Sequence, residues 1–139
     1  MTRVVIDANV LASAAAGHPN SASGRLLLAF TEGAVEAVVC ERTLAELERA
    51  LQRPCFAARV TDAGRRAFIE VLRAATDVRS DPVTGQSVLR DPADDYLVAL
   101  ARDAGAEAIV SGDKDLLEHP GLVPPAMTPR EACERFDLP

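Results

Sequence analysis

The chain of 139 residues has no tryptophan, a single tyrosine and a single lysine, Lys114. Its three cysteines, Cys40, Cys55 and Cys133, are odd in number and widely spaced, form no C-x-x-C pair, and have only His18 and His119 for company. That pattern argues against a disulfide framework and a zinc site, and it fits thiols kept reduced in the cytoplasm. No stretch approaches 18 consecutive apolar residues, and Arg3 interrupts the apolar run a signal peptide would need, so neither a membrane span nor secretion is expected. A Gly-rich phosphate loop is also missing, which speaks against nucleotide-driven action. There is no internal repeat, low-complexity tract or linker. What is present is 48% hydrophobic and 26% charged, the composition of a folded protein. A chain of this size buries roughly two-thirds of its unfolded surface, so one domain over residues 1–139 needs no staple.

The pattern of elements is alternating. Arg3-Val4-Val5-Ile6 is a short β-branched run that stops at Asp7 and predicts a buried strand. The small and polar residues that follow, through Gly17-His18-Pro19-Asn20, predict a loop. Leu26, Leu27 and Phe30 recur at helical spacing between Ser21 or Ser23 as N-cap and Gly33 as stop. A second buried strand is expected over 35–40. Leu44, Leu47 and Leu51 then place an amphipathic helix over 42–53, ended by Pro54. Thr61 opens a helix to about Ala75, and 76–79 is a third strand candidate, followed by loop at Asp81-Pro82 and Thr84-Gly85. Asp91 as cap and Pro92 at the first helical position start a helix to Asp103, with Gly105 as its stop. Ala108-Ile109-Val110 is a strand, 115–117 a short helix, 120–125 a Pro-rich turn, and Thr128-Pro129-Arg130-Glu131 a capping box for a last helix. Short apolar strands without polar alternation, separated by helices, define an α/β fold: a three-layer α/β/α sandwich with a central parallel sheet.

Ligands of open parallel sheets bind beyond the carboxyl ends of the strands, and the acids fall there. Asp7 follows the first strand, Glu46 lies early on the helix after the second, Asp91, Asp94 and Asp95 cluster at a helix start, and Asp113 follows the 108–110 strand. Each has an ordinary use alone, as a cap or a complement to a helix dipole; together they point to one sheet edge. Carboxylates within ~6 Å of one another repel unless something positive intervenes, and the only lysine sits inside the acidic motif itself. A hard divalent cation, Mg²⁺ or Mn²⁺, suits an oxygen-only donor set. Two such ions ~3.5–4 Å apart are a known means of phosphodiester hydrolysis.

Four segments, in order along nearly the whole chain, resemble the PIN domain, the small metal-dependent nuclease fold common among toxin–antitoxin toxins of the VapC kind. They are Val4-Val5-Ile6-Asp7-Ala8-Asn9-Val10-Leu11, Thr43-Leu44-Ala45-Glu46-Leu47, the run from Arg90 through Asp91, Asp94 and Asp95 to Ala101, and Ile109-Val110-Ser111-Gly112-Asp113-Lys114-Asp115-Leu116-Leu117. The resemblance implies a Mg²⁺- or Mn²⁺-dependent ribonuclease with an acidic quartet at Asp7, Glu46, Asp95 and Asp113, supported by Asn9, Asp94, Ser111 and Asp115. The third acid is ambiguous among Asp91, Asp94 and Asp95; Asp95 is preferred because it precedes Leu97-Val98-Ala99 as the family's acid precedes a similar run. The resemblance also implies an RNA substrate, a homodimer and, in a toxin pair, an antitoxin that blocks the site. Ser111 stands where the family more often has Thr, and Ala93 where another acid is common; neither removes a quartet member.

Two other readings compete. A haloacid-dehalogenase-type phosphatase would need a second Asp two residues after Asp7, where Asn9 stands, and a separate phosphate-clamping lysine, which Lys114 is not. A catalytically inactive PIN-fold module that binds RNA or a partner is the other. The net charge of −6 argues against nucleic acid until it is divided along the chain. Residues 91–118 hold eight acids against Arg102 and Lys114, whereas residues 42–73 hold seven arginines against four acids. Two bound divalent ions would bring the total to about −2 and set a neutralised cleft beside an Arg-rich pair of helices.

Overall fold

In a computed structural model, which describes residues 2–85, 89 and 92–139, the chain opens with β1 (Arg3–Ile6), α1 (Ala8–Ala16) and α2 (Ala22–Glu32). β2 (Glu36–Cys40) runs without a loop into α3 (Glu41–Leu51), followed by α4 (Pro54–Ala57), α5 (Asp62–Ala75) and β3 (Asp77–Arg79). A single 3₁₀ turn (Pro92–Asp94) leads into α6 (Asp95–Ala104), β4 (Ala108–Val110), α7 (Lys114–Leu117), β5 (Ala126–Met127) and α8 (Pro129–Arg135). Among the described residues the five strands form one parallel sheet in the order β3-β2-β1-β4-β5.

The pleat divides the core in two. Val4 and Ile6 of β1, with Ala37, Val39, Ala108 and Val110, pack against α1, α2, α3, α5 and α8. Val5, Val38 and Ile109 point the other way, onto α6 and Leu116 of α7. Strands buried on both faces need β-branched residues throughout, which is why their sequences show no polar alternation. The three-layer parallel α/β architecture expected from the sequence is the one observed. Among the described residues no helix is long and apolar enough to cross a membrane.

Local signals account for most boundaries. Ser21 caps α2 through its hydroxyl, which accepts from the Gly24 N–H at 3.1 Å, and Gly33 ends it at φ 79°, a conformation that suits glycine. Thr61 caps α5, and Thr128 with Glu131 closes a reciprocal capping box on α8.

One expectation needs correction, and at two other places the structure adds an element. The residues after Asp7 are not a loop but α1: an alanine-rich stretch of high helix propensity whose Val10 and Leu11 are buried. Pro54 does more than end α3, since it also opens α4 at a first-turn position. The Pro-rich turn is followed by β5, two residues long, which pairs beside β4. The proposed helix start at Asp91 lies outside the described residues; beyond it, the 3₁₀ turn precedes α6, which Gly105 ends at φ 64°.

Leu44, Leu47 and Leu51 bury one side of α3 and so fix its rotation about its own axis. Leu47→Ala should therefore lower unfolding free energy by about 2–5 kcal/mol, the range for removing a buried leucine side chain. Urea denaturation measures this, and a loss under ~1 kcal/mol would show that α3 is not anchored as described.

Candidate active site

β1 and β4 are neighbours at the centre of the sheet. Their register sets Ile6 against Val110, so the next residues of both strands, Asp7 and Ser111, emerge together at the carboxyl edge. The buried Ser111 hydroxyl donates to Asp7 Oδ2 at 2.7 Å and accepts from the Asp113 N–H at 3.0 Å. Asp113 Oδ1 in turn accepts from the Asp115 N–H at 2.9 Å and caps α7. One hydroxyl thus ties the first acid to the turn that carries the last. Asp115 contributes here through its backbone.

Asp7 is only 6% exposed, and burial pushes its carboxyl above the ordinary carboxylate range. The Ser111 hydroxyl and the Asn9 backbone N–H favour the charged form and offset part of that rise, while the nearby negative charges of Glu46 and Asp113 add to it. Three of the acids marked by sequence therefore act on one another at this edge.

Glu46 is braced from α6. Its Oε2 accepts from the Tyr96 hydroxyl at 2.8 Å and its Oε1 from Arg42 Nε at 3.3 Å. Arg42 also lies over the Tyr96 ring, 4.4 Å from the centroid, and donates through Nη2 to the Ala93 carbonyl at 2.8 Å. Burial, then the charge and acceptor of Glu46, push the Tyr96 phenol far up, so it remains protonated and a donor. Neither Tyr96 nor Arg42 stands out from residue type and spacing as a site residue. The available signal is that the chain's sole tyrosine adjoins the acids at the start of α6.

A cleft of about 330 Å³ is lined by Asp7, Asn9, Glu46, Asp94 and Asp113, with Arg49 and Arg53 on its wall. Asp95 is not among its lining residues. Asp95 is 8% exposed, its carboxyl accepts the Leu89 N–H at 2.8 Å, and the residue borders a separate cavity of about 420 Å³ with Val83, Val98 and Arg102. Asp91 lies outside the described residues. Of the expected quartet, Asp7, Glu46 and Asp113 share the cleft with Asp94, while Asp95 faces elsewhere.

Among the described residues, no three His, Cys, Asp or Glu side chains already stand as a metal-holding group. The donor chemistry nonetheless fits a hard cation: four carboxylates and an amide, without imidazole or thiolate, around a buried acid crowded by two like charges. Mg²⁺ keeps several waters and takes one or two protein carboxylates, so an open arrangement of this kind suits it.

The acids gather where the strand order reverses, between β1 and β4, the place at which open parallel α/β sheets bind their ligands. The sequence pattern of the PIN domain matches residues 3–115, and the chain belongs to the PIN domain family, whose members are generally nucleases. Its fold is similar to that of PAE2754 from Pyrobaculum aerophilum, at 17% identity and a TM-score of 0.68 over 98% of this chain and 96% of that one. It is also similar to FitAcB from Neisseria gonorrhoeae, at 15% identity and a TM-score of 0.54 over 91% of this chain and 98% of that one. No curated protein matches the chain in sequence.

Because Asp7 holds its proton more tightly in the folded chain than in the unfolded one, folding stability falls as pH rises from the ordinary value of 3.8 through the raised one. Asp7→Asn keeps an acceptor for Ser111 and removes the buried charge. In chelator at pH 7 its melting temperature should exceed that of the wild type, with the difference vanishing at pH values below 3.8. A lower melting temperature at pH 7 would contradict this reading of the site.

Proposed function

We propose that this chain is a Mg²⁺- or Mn²⁺-dependent endoribonuclease that hydrolyses RNA phosphodiester bonds as the toxin of a toxin–antitoxin pair. The observation that carries the reading is the shared cleft of Asp7, Glu46, Asp94 and Asp113 with two arginines on its wall. In this reading Asp7, Glu46, Asp94 and Asp113 hold the cation, and Asp95 keeps the segment at Leu89 in place through its N–H. Bound there, a divalent ion supplies Lewis-acid stabilisation of phosphoryl oxygens and lowers the pKa of water.

The chain's own residues do the positioning. The Ser111 hydroxyl, donating to one Asp7 oxygen, fixes the orientation of that carboxyl at the cleft. Tyr96 and Arg42 hold the Glu46 carboxylate from two sides, so it needs little reorganisation as charge develops on the phosphate. Preorganised carboxylates cost folding stability in the metal-free protein and are relieved when a cation enters. The toxin assignment, a homodimer, a cognate antitoxin and a cytoplasmic site of action follow from the family resemblance. The exposed Arg49 and Arg53 on the cleft wall would serve equally in a second reading, a PIN-fold module that binds RNA or a partner without cutting it.

One experiment separates them. Purified wild-type protein should cleave single-stranded RNA when Mg²⁺ or Mn²⁺ is present and not in chelator. Asp7→Asn and Asp94→Asn should each lower kcat/KM by more than about 100-fold, beyond the effect of losing an outer partner of a metal ligand. Asp95→Asn should retain more activity than Asp94→Asn. Binding without cleavage by the wild type would establish the second reading, and equal cleavage by Asp7→Asn would overturn the first.

A further inference from the structure

Arg42, Glu46 and Arg49 follow at spacings of four and three residues along one face of α3, and Arg53 lies just beyond its end, in extended backbone at the start of α4. Their surroundings differ. Arg42 is engaged within the protein, on Glu46, the Tyr96 ring and the Ala93 carbonyl. The Arg49 guanidinium, by contrast, makes no hydrogen bond or ion pair among the described residues. Arg53 makes only a 3.4 Å bond from Nη1 to Asn9 Oδ1. Both are exposed, and both line the same cleft as four carboxylates without pairing with any of them.

Two guanidinium groups that forgo nearby carboxylates keep their forked donors available for an anion from outside. They are four residues apart in the chain and line one cleft, so they can meet two successive anionic groups. Asn9, in the first turn of α1 close to Asp7, accepts from Arg53 at the cleft wall.

We infer that Arg49 and Arg53 form a phosphate-binding track for single-stranded RNA, holding the phosphates of nucleotides that flank the scissile bond. This deepens the nuclease reading and rests on it. Arg42 takes no part in the track, since its guanidinium is held on Glu46, the Ala93 carbonyl and the Tyr96 ring. On a protein of net charge −6 the two arginines supply local positive charge on the cleft wall, where a polyanion would pass.

The test is fluorescence anisotropy of a short dye-labelled single-stranded RNA across a salt series, with Ca²⁺ replacing Mg²⁺, beside cleavage assays in Mg²⁺. Removing one arginine–phosphate pairing should reduce the slope of log affinity against log salt by about 0.7. Arg49→Gln and Arg53→Gln should each show that reduction and bind about tenfold more weakly, in the range for a charged hydrogen bond. Lys at either position should retain the slope, and Arg102→Gln, remote from the cleft, should match the wild type. If the wild type cleaves and both Gln variants keep its affinity and slope, the track is overturned, the nuclease reading stands, and these arginines fall to a protein partner. If the wild type neither binds nor cleaves, the nuclease reading fails and the track with it.

Discussion

The hydrogen bond from Ser111 to Asp7 joins the carboxyl ends of the two central strands, and the rest of the site is arranged around it. A carboxylate this buried is costly to keep charged unless donors face it, and the donors here are a hydroxyl from the neighbouring strand and a backbone N–H. The same hydroxyl accepts from Asp113 N–H and so sets where the chain turns into α7. The parallel register of β1 and β4 makes this possible, because a shift of one residue would turn Asp7 and Ser111 to opposite faces. The fold therefore tolerates an under-compensated acid at its centre, and that is the electrostatic environment a cation relieves.

A second support comes from across the cleft. Glu46 is carried by α3, which the leucines anchor in one core layer, and is held by Tyr96 of α6, which belongs to the other. The carboxylate thus bridges the two layers at the sheet edge. Arg42 closes the arrangement by touching Glu46, the Tyr96 ring and the turn that carries Asp94. A displacement of either layer would be felt at Glu46, so packing and site geometry are coupled through one side chain.

Much of the architecture is legible in the chain itself. Val4-Val5-Ile6 and Ala108-Ile109-Val110 read as strands because continuous apolar runs have few other uses at that length. Ser21, Gly33, Thr61, Gly105, Thr128 and Glu131 mark helix ends through capping chemistry that is local. α1 escapes because its alanines and serine make a weak stripe, and its stability comes from packing against α2 and α3. β5 escapes because two residues after a proline pair carry no period at all. Of the cleft acids, Asp7, Glu46 and Asp113 are marked by their positions after strands or on the following helix. The choice between Asp94 and Asp95 is not, since adjacent residues at a helix start point about 100° apart and only the entry of the chain into α6 decides which one faces the cleft.

The central claim is that the carboxyl edge of β1 and β4 is a site for a divalent cation. Crystals soaked in Mn²⁺ and measured for anomalous scattering test it most directly. The account predicts a peak in the cleft coordinated by Asp7 and at least one of Glu46, Asp94 and Asp113, with Asp95 still bonded to the Leu89 N–H. A peak at Asp95 away from Asp7, or no peak in the cleft at saturating Mn²⁺, would contradict it.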